Sequence, residues 1–406
     1  MVEATQEKRR AVVLVIDRLG AGYLGPFGNT WIDTPCFNQL ASQSLLVDQA
    51  WIDSPQLHSL YRTLWQGGHA AFEHSQGDRC LSEIIRAAGH PSCLITDEPE
   101  VAEHPLHTGF DQVEVVVTAD GVKKEIEDTN VARLFSFAEQ AIENQEHDLI
   151  WIHSQGMQGC WDAPLELRDY YVEEDDPEPP RGDARPNQQL PLDFDRDELQ
   201  AWIWAYAGQV AMIDACLSML LQTLDRTQSS TLFVLMGARG YPLGEHRIIG
   251  EAGLSLHSEL LHVPLLMRVP GQATHSVRCQ QLVQPGMLHQ TLNEWFRVDG
   301  SWSHSLLRLL ESPGLPWPQQ AITQDHLQWM IHTPTWLARL DDSEAETDWQ
   351  LYLKPDDYWD FNDVSDRCSD VVVQFQQLLR QVRAVSSHAD WQRLEPLNEL
   401  LLTALS

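Results

Sequence analysis

Basic side chains are scarce in this 406-residue chain: 27 Lys and Arg stand against 59 Asp and Glu, a formal charge of −32. That shortage argues against nucleic acid as a partner, because phosphate contacts need Lys and Arg. It argues equally against an anionic membrane surface. A sulfated or phosphorylated substrate would be repelled too, unless a local basic pocket or a bound cation offsets the field. Long apolar runs are also missing, and none approaches the ~18 residues of a membrane span. The run after Lys8-Arg9-Arg10 stops at Asp17 without a small-residue cleavage site, so it does not read as a secretory leader. Cysteine is sparse, seven scattered residues with no CxxC pair and no zinc-type spacing. The expectation is reduced thiols in a cytoplasmic protein.

What the chain does have is a series of short apolar runs separated by helical patterns. Ala11 to Asp17, AVVLVID, reads as a strand buried on both faces that ends in a carboxylate. In open α/β sheets ligands bind outside the carboxyl ends of strands, so Asp17 stands where a catalytic or metal-binding acid is expected. The other reading of Asp17 is a helix cap or a partner for Arg18. Leu45–Val47, Ser92–Thr96, His147–His153, Thr231–Met236 and Leu265–Val269 read as further strands. Helical spacing marks residues 36–44, a short helix within 54–68, Leu81–Gly89, a long amphipathic helix within Gly121–Glu146, and Leu199–Leu224.

The alternation implies a doubly wound, mostly parallel α/β sheet flanked by helices over residues 11–315, after a charged tail at 1–10. Residues 172–198 are rich in Pro and acids and read as a mobile surface insertion or lid. From residue 316 the pattern restarts as a smaller C-terminal α+β module to 406, with Trp317, Trp329, Trp336, Trp349 and Trp359 as core or interface residues.

Several segments, in order, carry a resemblance. They are VVLVIDRLGAGYLGPFGNTWIDTPCFNQLASQS, LSEIIRAAGH, HSQGMQGCWDAPLELRDYY, AYAGQVAMIDACLSMLLQTLD, STLFVLMGARGYPLGEH, LSLHSELLHVPLLMRVPG and LYLKPDDYWDFNDVSDR. Together they resemble the sulfatase family of the alkaline phosphatase superfamily over nearly the whole chain. The resemblance implies that family's fold and sulfate-ester hydrolysis. It also implies a formylglycine nucleophile made from Cys or Ser, a divalent cation, usually calcium, held by aspartates and an amide, and Lys, Arg and His around the sulfate.

The chain departs from the pattern at nearly every catalytic position. The first strand of the family ends in two aspartates, whereas here Asp17 is followed by Arg18. The nucleophile segment normally reads C/S-x-P-x-R. Anchoring on Ser54-Pro55 puts Leu57 at the nucleophile, and anchoring on Arg62 puts His58 there; neither can become formylglycine. Ser54, Ser59 and Thr63 are nearby hydroxyls, which need a base or metal for activation. The metal ligands after the 231–236 strand are replaced by Ala238 and Arg239. A Lys-Trp-His segment is replaced by Thr96-Asp97-Glu98-Pro99, exchanging positive charge for negative.

Asp17 is thus the one retained ligand candidate, and Arg18 and Arg239 are candidate anion-binding groups or an ion-pair substitute for the cation. His153, at the carboxyl end of its strand, and His246, in Gly244-Glu245-His246, match family site positions. Arg62 matches the arginine that steadies the nucleophile. His58 and His69 flank the same helix, as cleft groups or surface.

Two functions follow. One is a catalytically impaired pseudo-sulfatase that needs no cofactor and binds a ligand or partner, such as an active sulfatase paralogue or a sulfated ligand, through a remnant cleft. The other is a metal-independent sulfuric- or phosphoric-ester hydrolase using His58 or a nearby Ser, with Arg18, Arg62 and Arg239 in place of the cation. Calcium enters only if its site is rearranged.

Overall fold

In the computed structural model the described residues are 9–403, apart from 73–78, 228–229, 254, 272–275, 299–301, 312–313, 342–348 and 386–395. Most of the charged tail at 1–10 therefore lies outside them. Strands β1 (Arg10–Ile16), β2 (Leu45–Ala50), β3 (Ser92–Thr96), β4 (Gln112–Val115), β5 (Leu149–Ser154), β7 (Thr231–Gly237), β9 (Leu265–Arg268) and β10 (Val277–Val283) form one eight-stranded sheet, in the order β10-β2-β9-β7-β1-β5-β3-β4. Two-residue strands β6 (Gln188–Gln189) and β8 (Ile248–Ile249) pair with each other. β11 (Ala321–Asp325), β12 (Gln328–His332), β13 (Trp336–Asp341) and β14 (Trp349–Leu353) form a separate antiparallel sheet in sequence order.

The large sheet is parallel except for β9, which runs against both β7 and β2. Its central strands are apolar on both faces, since helices cover both sides. β1 lies between β5 and β7, all parallel, so three strand ends converge just beyond Ile16. The second sheet packs Ile322, Ile331, Trp336, Leu340, Trp349 and Leu351 against Val371, Phe375, Leu378 and Val382 of helix Ser369–Ala384. This is the smaller C-terminal module, and three of the five tryptophans singled out above, Trp317, Trp336 and Trp349, are buried.

The helix expected within 121–146 is shorter, Asn130–Asn144. Thr129 explains the start: its hydroxyl accepts the Ala132 N–H, capping the helix at that point. The 31-residue helix Arg196–Arg226 is long and apolar enough to span a bilayer by composition, yet one side is buried on the sheet along Ala205, Ile213, Leu217, Leu220 and Leu224. The acidic 172–198 segment is largely irregular but tied down. The buried Arg168 guanidinium donates to the carbonyls of Pro180 (2.6 Å) and Gly182 (2.7 Å), and β6 joins it to β8. All seven cysteines are free thiols.

Candidate functional site

The strand ends at Asp17, which is fully buried. Its backbone N–H donates to Ser154 O at 2.9 Å, and Ala238 N–H donates to Ile16 O at 3.0 Å, so the β5 and β7 ends are fastened to either side. Gly156 makes the β5 side possible: a Cβ there would lie 2.4 Å from Asp17 O. Arg18 then adopts a left-handed φ of 61°, unusual for a long side chain. The turn is held by the Arg18 N–H on Asp17 Oδ1 (2.9 Å) and by Tyr206 Oη donating to Arg18 O (2.8 Å).

The Arg239 guanidinium closes on Asp17 with two bonds, Nε to Oδ1 at 2.9 Å and Nη2 to Oδ2. Such a forked pair is the strongest arrangement open to these groups. The remaining Arg239 nitrogen donates to Pro55 O at 3.3 Å, just ahead of helix Leu57–Gln66. Arg18 turns to Glu251, donating Nη2 to its carboxylate, with Nε on Gln158 Oε1 at 3.1 Å and Nη1 on Gly240 O at 3.3 Å. Arg185 approaches the same Glu251 at 3.8 Å. Arg18, Arg239 and Arg185 are thus matched by Asp17 and Glu251 for all but one of their three positive charges.

The titration of these groups follows from the pairing. Burial would raise the Asp17 carboxyl, but the charge and hydrogen bonds of Arg239, with Arg18, hold it below its ordinary value. Burial and the neighbouring Arg239 bring Arg18 down to about 10, so it stays charged at neutral pH. Burial opposes the charge on Arg239, and Asp17 more than restores it.

His153, paired in register with Val15, faces the same region. Tyr61 Oη lies 2.6 Å from His153 Nδ1, and Trp151 Nε1 donates to Tyr61 Oη at 3.4 Å. The two share one hydrogen bond whose direction depends on the imidazole tautomer, and the other ring nitrogen of His153 is Nε2. That nitrogen is buried and has no partner among the described residues. Burial pushes His153 down to about 4, so it is neutral and poorly matched to proton transfer near pH 7.

The remaining sequence candidates lie elsewhere. Helix Leu57–Gln66 buries Leu57, Leu60, Tyr61, Leu64 and Trp65. His58 falls off that stripe and is exposed, its ring 4.5 Å from the His104 ring. Arg62 donates to Ala70 O at 2.9 Å and so braces the turn after the helix. Ser54 Oγ accepts the Gln56 N–H at 3.1 Å. His69 is buried, with Nε2 on Ile322 O at 3.1 Å, linking the helix to the second sheet. His246 bridges Glu259 Oε1 (2.8 Å) and Asp360 O (3.0 Å), and stacks on His257 at 3.5 Å, at the junction with the C-terminal module.

A divalent cation does not fit at Asp17. Calcium takes six to eight oxygens, whereas both Asp17 oxygens already accept from Arg239 and one also accepts the Arg18 N–H. Asp120, Cys160 and Asp183 bring three donor atoms within 4.8 Å of one another. Burial, with the Asp162 and Asp183 carboxylates, pushes the Cys160 thiol up.

Sequence reasoning missed Glu251, Gln158 and Tyr61. Glu251 lies in an irregular segment with no motif around it. The inward position of Tyr61 was readable from the helical stripe.

Asp97 makes a testable case. It is buried beside β5, accepting the Gln155 N–H at 2.7 Å, and burial pushes its carboxyl up to about 7. The folded state thus holds a proton that the unfolded state releases near pH 4, so stability falls as pH rises from about 4 to about 7. Asp97→Asn, permanently neutral, is expected to gain on the order of 2–4 kcal/mol at pH 8 and almost nothing at pH 4. Urea unfolding at both pH values measures this; an equal effect at the two would rule out a titrating Asp97.

The sulfatase family model matches residues 9–297. Among solved structures, a 2-O GAG sulfatase superposes with a TM-score of 0.74 at 17% identity, covering 96% of this chain and 94% of that one. A phosphonate monoester hydrolase of Agrobacterium radiobacter does so with 0.73 at 15%, covering 93% and 95%. The one from Silicibacter pomeroyi gives 0.72 at 15%, covering 93% and 96%. The multifunctional alkaline phosphatase superfamily protein PehA of Trinickia caryophylli is 27% identical over 105 residues, a quarter (25%) of this chain and a fifth (20%) of that protein.

Proposed function

Because this chain belongs to the sulfatase family, we propose that it is a member without ester-hydrolase chemistry, in which an arginine-carboxylate cluster has replaced the metal ion and the cleft serves binding. The observation that carries this reading is the forked Arg239–Asp17 pair at the end of β1. It supplies positive charge at the position the resemblance gives to the cation, and it spends that charge on a protein carboxylate.

Hydrolysis of a sulfate or phosphate ester needs a nucleophile in line and fixed charge on the developing oxyanion. The resemblance gives the nucleophile position to Leu57 or His58; Leu57 is in the core and the His58 ring is exposed against His104. Arg18 and Arg239 converge on Glu251 and Asp17, while Arg62 Nη2 donates to Ala70 O at the turn after its helix. Beyond them, Glu98 and Glu100 add negative charge that disfavours an anion. These placements also weigh against a metal-free hydrolase built on His58 and three arginines. Binding of a partner, including an active paralogue, is part of the proposal, through the exposed Glu100 and half-buried Glu98 carboxylates.

The test is turnover of aryl sulfate, aryl phosphate and phosphonate monoesters by the purified chain with calcium, magnesium, manganese or EDTA. The expected result is no rate above blank in any condition, since loss of a nucleophile alone costs on the order of a million-fold. Turnover that survives EDTA and disappears in Arg239→Ala would overturn the reading and establish the metal-free hydrolase.

A further inference from the structure

The loop after β1 and the start of the acidic insertion meet at an aromatic surface. Trp31 is 40% exposed and Tyr170 is 69% exposed, with Tyr171 and Trp204 half-buried beside them. The rings touch edge to face: Trp31 and Tyr171 at 5.8 Å and 86°, Trp31 and Trp204 at 5.4 Å and 77°, Tyr170 and Tyr171 at 5.1 Å and 90°. At these spacings the rings fill the room between themselves, so a guest reaches only their outward faces. Aromatic rings grouped on a surface mark an interaction site, whereas single scattered ones need no explanation.

Asp33 sits among these rings. Its Oδ2 accepts the Tyr170 hydroxyl at 3.3 Å, and its backbone N–H donates to Tyr171 Oη at 3.3 Å. Its other oxygen, Oδ1, accepts nothing from the described residues, and none of their cations pairs with it.

The charge around the patch is of one sign. Residues 173–178, EEDDPE, follow Tyr171 after a single valine, and four of their five acids are exposed. The two arginines of this stretch are engaged already. Arg181 lies on Asp169 (2.7 Å) and Glu178 (3.5 Å), and the buried Arg168 donates to backbone carbonyls.

Open aromatic faces beside unpaired carboxylates are complementary to a cation, and best to a flat one. A guanidinium stacks on an aromatic face while its edge donates to a carboxylate. An ammonium is a compact, strongly hydrated charge, and aromatic recognition of ammonium groups uses enclosing cages, which these closely packed rings do not leave open. One such contact at an exposed site is worth only about two- to fivefold in affinity, too little to hold free arginine. Several arginines on one chain would hold.

We propose that this surface docks an arginine-rich segment of a partner protein, with one guanidinium stacked on Tyr170 and bonded to Asp33, and its neighbours paired with the acids of 173–178. The proposal is independent of the Asp17 cluster and of any reading of catalysis.

The probe is a hexa-arginine peptide, with hexa-lysine as its equal in charge, titrated into the full chain carrying ¹⁵N-labelled tryptophan. The Trp31 indole resonance is assigned by Trp31→Phe. Hexa-arginine is expected to shift it saturably, with Kd on the order of 10 μM at about 50 mM salt. Hexa-lysine is expected to bind about tenfold more weakly. The double substitution Tyr170→Ala with Asp33→Asn, both at exposed positions, should weaken hexa-arginine about tenfold and hexa-lysine by less than about twofold. The wild-type titrations decide without any variant. Absence of a saturable shift at Trp31 overturns the site. Equal affinity for the two peptides also overturns it, because binding would then be diffuse attraction to a chain of charge −32.

Discussion

Arg239→Ala is expected to lower the free energy of unfolding by about 3–5 kcal/mol, the usual cost of stranding one partner of a buried ion pair. Asp17 has no access to water, and Arg239 takes both of its oxygens. Without the guanidinium, the carboxylate keeps its desolvation penalty and loses its main compensation.

The pH dependence gives the effect a signature. In the native protein the Asp17 carboxyl is held low, so its contribution is present above the ordinary carboxylate range and is lost as pH falls through the lowered value. In Arg239→Ala burial dominates and the carboxyl rises, so the deficit should shrink on acidification toward pH 4. Urea midpoints at pH 7 and pH 4 give both numbers. The paired substitution Asp17→Leu with Arg239→Met should restore much of the loss, because apolar packing replaces buried ion pairs at little cost. A deficit of under about 1 kcal/mol for Arg239→Ala would mean that water solvates Asp17 in solution.

Asp360→Ala is the second large effect, of similar size, about 3–5 kcal/mol. This carboxylate is buried at the junction of the large sheet and the C-terminal module. It accepts from Lys354 Nζ, from Ser258 N–H at 2.8 Å and from Ser258 Oγ at 3.0 Å, with His257 Nδ1 at 3.7 Å. Burial works against its charge, yet the neighbouring His257 and the Lys354 ammonium hold its carboxyl far below the ordinary range. Removing it strands the Lys354 ammonium, which is 8% exposed, and unfastens segment 258–262 from segment 354–360. The C-terminal module should loosen first. Hydrogen exchange is therefore expected to rise across β12–β14 while β1 and β5 stay protected. Uniform loss of protection would instead make the two parts one cooperative unit.

Much of this arrangement was legible in the residues. The end of the β1 run was readable because six consecutive apolar residues stop at the Asp17 carboxylate, with Gly20 and Gly22 just beyond. Arg18 and Arg239 stood out because each occupies a position where the resemblance requires a metal ligand. Their mutual geometry was not legible, since Arg18 turns away from Asp17 through a left-handed φ and meets Glu251, 233 residues along the chain. Composition marked 172–198 as a Pro- and acid-rich insertion, but not that the buried Arg168 would donate to two of its carbonyls. Motif spacing placed His58 and Arg62 at the nucleophile, and the burial stripe of the same helix turns His58 outward.

The measurement that bears most directly on the central claim is calorimetric titration of the EDTA-treated chain with calcium and magnesium, paired with thermal unfolding in excess metal and in EDTA. If Arg18 and Arg239 stand in for the cation, neither metal gives saturable heat, and the unfolding temperature is the same in metal and in EDTA. Saturable binding near one equivalent, with a rise in unfolding temperature that Asp17→Asn abolishes, would contradict it. The arginines would then have to leave Asp17 in solution, and the cluster would be a metal site.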